Sequence, residues 1–457
     1  MKSEKLQRVS NFWKKLTTGS VNRQILGAAL IVAFGTGLVK VSAIIKELVV
    51  AWRFGTGDEV DAFLIALVIP EFIKVVVAGS FDAALIPTYI QVREKEGMGA
   101  AQRLFSGATL CSLGLLGITT ILLLVTSSLY LPKIALGFSP EKLSLTYELL
   151  FAISPIVALS GLLATWSAVL NAGERFALAS ITPLITPSIT IALILFARSW
   201  GVFALSGGLA IGAFLELVIL GKALQRQGIC LRPKWHGLDI HLRQVMSQYL
   251  PMIAGSFLMC SSNLVDSSMA ANLSTGSVAA LSYGYRLTST PLSLMTTALS
   301  TAVIPYFSKM IARKDWKEVN HTLHKYMKSV FIVATPITLL LIIFSENIIQ
   351  ILFQRGAFTA SDTHLVAQIQ ICFALQIPFY VATMLVVRLI ESMRLSQIFI
   401  WGSSFSLMIN IVLNYLFSGW IGVAGIALST TCVYIFSFSF LSLFIVRQLK
   451  KLHPEVF

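Results

Sequence analysis

The chain has 457 residues, of which 56% are hydrophobic and only 12% charged, with a formal net charge of +14. Soluble domains carry roughly 25% charged residues, so the composition excludes a soluble globular protein and describes one that crosses a membrane many times. The five cysteines, Cys111, Cys230, Cys260, Cys372 and Cys432, form no CxxC pair and read as packing residues rather than disulfide partners or metal ligands.

Residues 1–23 are basic and amphipathic and carry no cleavable signal pattern, which predicts a cytoplasmic segment lying on the membrane surface. Apolar runs long enough to span a bilayer then fall near 24–51, 59–92, 102–128, 146–170, 177–197, 201–221, 246–271, 279–308, 327–346, 363–390, 396–417 and 421–446. That is about twelve transmembrane helices in an all-α polytopic fold. Pro70 and Pro87 interrupt the second run, and Pro291 and Pro305 the eighth. A proline inside a span kinks it and frees backbone groups that neighbours or water must satisfy.

With the N-terminus placed in the cytoplasm, 26 of the 35 lysines and arginines lie in cytoplasmic segments and five, Arg53, Lys133, Lys142, Arg198 and Arg355, in external ones. This positive-inside bias predicts that both termini are cytoplasmic. It also accounts for the net charge: the basic loops face anionic lipid, and no nucleic-acid partner is implied.

The sequence repeats itself. LIPTY (85–89) closes the second span and VIPYF (303–307) the eighth; Arg175 follows the fourth span and Arg394 the tenth; GVFAL (201–205) and GVAGI (422–426) open the sixth and twelfth. The offsets, 218, 219 and 221, are nearly constant. They predict two six-helix lobes, 24–221 and 246–446, joined by a cytoplasmic linker at 222–245 and followed by a cytoplasmic tail at 447–457. Parallel repeats of this kind place a substrate path between the lobes.

No GxxxxGK[ST] loop and no HExxH occurs, and none of the six histidines lies in the middle of a span. Nucleotide hydrolysis and zinc-protease chemistry are excluded, and a non-enzymatic role is expected. His321 and His324 read as a solvated helical face. What remains is charge inside the membrane, which is costly and marks a substrate or ion path. Lys40, Lys46, Glu47, Glu71, Lys74 and Asp82 lie within the first two spans and Asp61 at the start of the second; Arg286 lies in the eighth. On a helix Glu71, Lys74, Ala78 and Asp82 form one stripe. Three lysines and an arginine around a wet cavity suit an anion with several oxygens, such as a pyrophosphate. Asp266 in the seventh span, Asn410 and Asn414 in the eleventh and Thr430 in the twelfth offer oxygens for Na⁺, or serve as hydrogen-bonding glue between helices.

The stretches KVSAIIKELVVAWRFGTGDEVDAF, GSVAALSYGYRLTSTPLSLMTTALSTAVIPYFSK and FQRGAFTASD (353–362) resemble the MurJ/MviN family of lipid II flippases, within the wider group of multidrug, oligosaccharidyl-lipid and polysaccharide exporters. The resemblance implies a central cationic cavity. Lys40, Lys46 and Lys74 stand in it where the family has arginines that bind a lipid pyrophosphate, and Arg286 keeps the fourth. Glu47 and Asp61 stand where the family has aspartates, and together with Glu71 and Asp82, read from their place in the second span, they are expected as the cavity and gating carboxylates. Asp266, Asn410, Asn414 and Thr430 stand near a sodium site of some members, with Na⁺ or H⁺ as the coupling ion and no other cofactor. Implied further are a bacterial inner-membrane location and a role in peptidoglycan biosynthesis. The implied partners are a lipid-linked saccharide, membrane lipid and the proteins of cell-wall or polysaccharide synthesis. Two departures stand out. Lysine keeps the charge of arginine and loses its two-pronged grip. Twelve spans are read here, where flippases of the family have fourteen, the last pair forming a groove for the lipid tail. Three readings stay open beside lipid II: a flippase for another lipid-linked glycan, a cation-coupled exporter of small molecules, and a membrane scaffold for a synthesis complex.

Overall fold

The computed structural model describes residues 21–173, 176–395 and 397–452. Most of the basic segment 1–23, Arg175 and the end of the tail therefore lie outside the described residues. Among the described residues there is no β-strand. In lipid a helix satisfies its own backbone, which is why long apolar runs without paired strands take this form.

The helices, in order, are α1 Val21–Phe54, α2 Asp58–Ile73, a π-helical turn Lys74–Gly79, α3 Ser80–Val125, α4 Ser127–Ile134, α5 Pro140–Ile153, α6 Pro155–Ala172, α7 Phe176–Ile181, α8 Ile185–Phe196, α9 Phe203–Arg226, α10 Ile240–Ala271, α11 Ser277–Ala312, α12 Trp316–Ile343, α13 Ser345–Phe353, α14 Ala360–Ala374, α15 Ile377–Ser392, α16 Ile398–Ile421 and α17 Val423–Leu452. Each of the twelve expected spans coincides with one of these or with a consecutive pair. Among the described residues, eight stretches, beginning at Asp58, Pro140, Ala177, Phe203, Trp316, Ala360, Ile398 and Val423, are long and apolar enough to cross a membrane. The first of them, Asp58–Val125, takes in two expected spans.

The junction of those two spans is sharper than the sequence predicts. The second and third spans are separated by a corner at Gly97, whose φ of 82° and ψ of −178° only glycine adopts readily. Beyond Pro70 the chain passes into the π turn at Lys74. A π turn absorbs one extra residue. Lys74 and Asp82, eight apart in the chain, therefore stand at an effective spacing of seven, close to two turns of an ordinary helix. Tyr249 donates from its hydroxyl to the Val77 carbonyl of the π turn at 3.2 Å and stacks edge-on against Phe81.

The chain forms two compact units. The first takes its described residues from Met1–Val49, Ile73–Thr126 and Leu149–Ile253. In it α3 packs on α6, and α9 on α6 and α8, around Phe81, Leu85, Phe105, Trp166 and Leu220. The second comprises Val50–Phe72, Ser127–Glu148 and Ala254–Phe457. Here α11 packs on α14 and α15, and α17 on α15 and α16, around Phe307, Leu323, Leu385 and Ile445. Association of helices in lipid rests on close packing and interhelical hydrogen bonds. The contact of α11 with α14 depends on Gly284, where a Cβ would come within 2.7 Å of Ile369.

Candidate functional site

Lys40 and Lys46 are partly buried on α1. Lys46 is held by Glu47 at 2.9 Å, so two residues expected in separate roles form one ion pair. Lys74 is exposed at the head of the π turn, and Asp82, partly buried, has one oxygen shielded from solvent with no hydrogen-bond partner. These five belong to the first unit, whereas Glu71, which is partly buried, and Arg286, which is exposed on α11, belong to the second.

Asp61 belongs to the second unit and is 1% exposed. Its carboxylate accepts from Lys142 Nζ at 2.9 Å and from the backbone N–H groups of Gly276 at 2.7 Å and Ala279 at 2.8 Å. Those amides open α11, whose own cap residue, Gly276, supplies no side chain. Asp61 is thus the cap of a helix more than two hundred residues away, with its charge at the positive end of the helix dipole. Lys142 reaches Asp58 as well, at 2.6 Å, and lies over the Phe138 ring at 4.1 Å. The turn after α1 is gripped from both sides. Tyr283 donates to the Gly55 carbonyl at 3.1 Å, Ala357 N–H donates to the Trp52 carbonyl at 2.9 Å, and the Thr56 hydroxyl donates to Asp362. Asp362 is itself in the capping box that Thr359 builds at the start of α14. The FTASD of 358–362 therefore serves as a helix start and as a dock for the turn.

The second polar cluster is buried in the same unit. Asn410 and Asn414, one turn apart on α16, donate to Asp266 Oδ1 at 3.0 Å and 2.6 Å, and Thr430 on α17 donates to Oδ2 at 3.2 Å. The four residues named from the sequence meet at one point. Three donors around a carboxylate compensate much of the cost of removing it from water. Asn414 Oδ1 is buried with no hydrogen-bond partner. The amide nitrogens of Asn410 and Asn414, not their oxygens, face Asp266, so in this arrangement the cluster is interhelical hydrogen bonding; only with both amides turned over would Asp266, Asn410, Asn414 and Thr430 offer the oxygens that a hard ion takes.

Sequence reasoning missed two residues. Lys142 counted only as an external basic residue, because its partners lie 81 and 84 positions away and no local pattern links them. Glu216 lies within an apolar run and is 9% exposed; its Oε1 accepts from the Thr186 N–H at 3.3 Å and from the Thr186 hydroxyl. A signal for it did exist: Gly208, Gly212 and Glu216 recur every four residues, the spacing of a close-packed helix face carrying one acid.

Against known proteins, residues 50–457 match the family described as lipid II flippase MurJ. A probable lipid II flippase MurJ of Synechocystis is 28% identical over 457 residues, covering 95% of this chain and 84% of the relative. The corresponding protein of Thermotoga maritima is 27% identical over 415 residues, covering 90% and 83%. A solved structure of lipid II flippase MurJ in an inward closed conformation superposes with a TM-score of 0.79 at 23% identity, covering 93% of this chain and 90% of that one. An inward-facing multidrug transporter of the MATE family gives a TM-score of 0.76 at 12% identity, covering 91% and 96%. The fold is that of the wider transporter group, and with its last 408 residues matched the chain belongs to the MurJ family.

Proposed function

We propose that this protein is a multi-pass flippase of the bacterial inner membrane that moves a polyprenyl-pyrophosphate-linked saccharide, lipid II, from the cytoplasmic to the outer leaflet. The observation that carries the reading is the match to the family over residues 50–457, in a chain that keeps basic groups on its membrane helices.

In this account both termini are cytoplasmic, the two repeated lobes rock in alternating access, and a cationic cavity receives the substrate. Its diphosphate engages Lys40, Lys46, Lys74 and Arg286 in the course of the cycle while the polyprenyl tail stays in lipid. Lysine serves as a mobile point charge and Arg286 adds a planar, two-pronged contact. The Asp61 cap on α11 and the grip on the turn after α1 lie within the second unit and keep that unit intact through the cycle. The Asp266 cluster would hold a Na⁺ ion, whose charge would balance the buried carboxylate. A charge moved through the membrane field is worth about 2.3 kcal/mol per 100 mV, enough to bias the return of a cationic protein.

The test is complementation of a bacterial strain depleted of its own lipid II flippase. Growth on expression of this chain supports lipid II as the substrate. Failure to grow, with the protein abundant in the membrane, would move the substrate to another lipid-linked glycan.

A further inference from the structure

Four helix ends of the second unit meet around a cavity of about 410 Å³. Ile311 near the end of α11, Trp316 at the start of α12, and Met393 and Leu395 just past α15 give it an apolar wall. Ser392 and Arg394 at the end of α15 and Gln448 in the last turns of α17 give it a polar one. Its size lies within the range of small-ligand sites, about 300–1,000 Å³.

Two backbone outliers frame this cavity. Among the described residues only Lys314 and Arg394 are non-glycine residues with positive φ, 58° and 59°. Each follows a helix end with the same pair of bonds. Arg394 N–H donates to the Glu391 carbonyl at 3.0 Å and Leu395 N–H to the Ile390 carbonyl at 3.1 Å. Lys314 N–H donates to the Ile311 carbonyl at 3.0 Å and Asp315 N–H to the Met310 carbonyl at 3.0 Å. Glycine is the usual residue where the lysine and the arginine stand. A basic residue inside the last turn would complement the helix dipole without that backbone cost. Dipole pairing therefore does not account for the left-handed placement, and a side chain kept at such a cost has a use. The neighbouring acids are engaged: Glu391 pairs with Arg388 at 2.8 Å, and Asp315 caps α12 by accepting from Glu318 N–H at 3.0 Å. Arg394 has no ion-pair partner among the described residues.

We propose that this cavity binds the head group of an anionic glycerophospholipid, with Arg394 on the phosphate and Ser392 and Gln448 as its hydrogen-bonding partners. A phosphodiester joined to hydrocarbon satisfies both walls at once, whereas a free phosphate would leave the apolar wall wet. Basic pockets between membrane helices hold anionic head groups in this way, and tryptophan is favoured at the depth where head group meets chain. Lys314, set between the lining residues Ile311 and Trp316, adds positive charge at the rim. The bound lipid ties together the ends of α11, α12, α15 and α17. None of these residues is given to the diphosphate, so the site does not depend on that reading.

The experiment is thermal unfolding of the purified full chain in neutral detergent, titrated with phosphatidylglycerol, phosphatidylcholine or soluble glycerol 3-phosphate. It compares the unaltered protein with Arg394→Gly and Arg394→Asn. Both replacements suit a left-handed backbone, so without lipid both should unfold no earlier than the unaltered chain. Phosphatidylglycerol should stabilise the unaltered chain more than phosphatidylcholine does. The concentration giving half that effect should rise at least about fivefold in both variants, the scale of one basic group near an anionic lipid surface. An unchanged phosphatidylglycerol response in the variants, or no preference for it in the unaltered chain, would overturn the site. Protection by glycerol 3-phosphate equal to that by the lipid would overturn the lipid as its occupant.

Discussion

The carboxylate of Asp61 and the ammonium of Lys142 meet at 2.9 Å although 81 residues separate them, and both side chains are almost wholly buried, at 1% and 7% exposure. The contact joins the start of α2 to the start of α5. Through the other Asp61 bonds it reaches the first turn of α11. One carboxylate thus serves an ion pair and a helix cap at once. Removing it costs both.

Asp61→Ala should therefore destabilise the protein by about 3 kcal/mol, the range for breaking a buried ion pair. Lys142→Met should cost less, because Asp61 keeps two backbone donors. Asp58 does not replace Asp61, since its side chain is 57% exposed and its contact with Lys142 is screened by water. Thermal unfolding in detergent measures the order. An equal loss in the two variants would mean that the cap contributes nothing.

Gly276→Ala should cost at least about 2 kcal/mol, in the range of strain from a non-glycine residue forced into an unfavourable backbone region and a clash. Gly276 has a φ of +84°, and a Cβ there would lie 2.3 Å from the Thr56 carbonyl oxygen. Gly237 provides the control, with the same φ and no atom within 4 Å. Gly237→Ala should cost only the backbone term, and a comparable drop in unfolding temperature for the two would refute the docking of Thr56 on α11.

Lys74→Ala and Arg286→Ala should each abolish transport while leaving the protein in the membrane at its usual level. Lys74→Arg should retain activity, since the charge is preserved and a planar grip is gained. Membrane fractionation and complementation together check this. Growth supported by both alanine variants would remove the two residues from the substrate path.

Asp266→Ala should destabilise the α10, α16 and α17 contact, because the donors of Asn410, Asn414 and Thr430 lose their acceptor, at about 1–3 kcal/mol for each group left unsatisfied. Asp266→Asn keeps much of the hydrogen bonding and removes the charge. Transport by the unaltered chain should rise with Na⁺ and become insensitive to it in Asp266→Asn. A sodium response that survives the substitution would place the coupling ion elsewhere.

The order and extent of the helices were legible in the sequence because bilayer thickness dictates length and a lipid environment dictates helix. The cluster of Asp266, Asn410, Asn414 and Thr430 was legible for a related reason: polar groups stand out against apolar spans and must find one another. The π turn at Lys74 and the corner at Gly97 were not, since each depends on local backbone geometry that hydropathy does not encode. Lys142 was invisible because its value comes entirely from distant partners. Glu216 sits amid leucines and alanines, and only the glycines before it hinted that its helix packs closely enough to bury an acid.

The most direct test is translocation of fluorescent lipid II in proteoliposomes holding the purified chain, read by how fast the label becomes accessible to a membrane-impermeant quencher on the far side. The unaltered protein should move the lipid well above protein-free vesicles, and Lys74→Ala should fall to their level. Movement no faster than in empty vesicles, with correctly inserted protein and a membrane potential imposed, would contradict the assignment of this chain as a lipid II flippase.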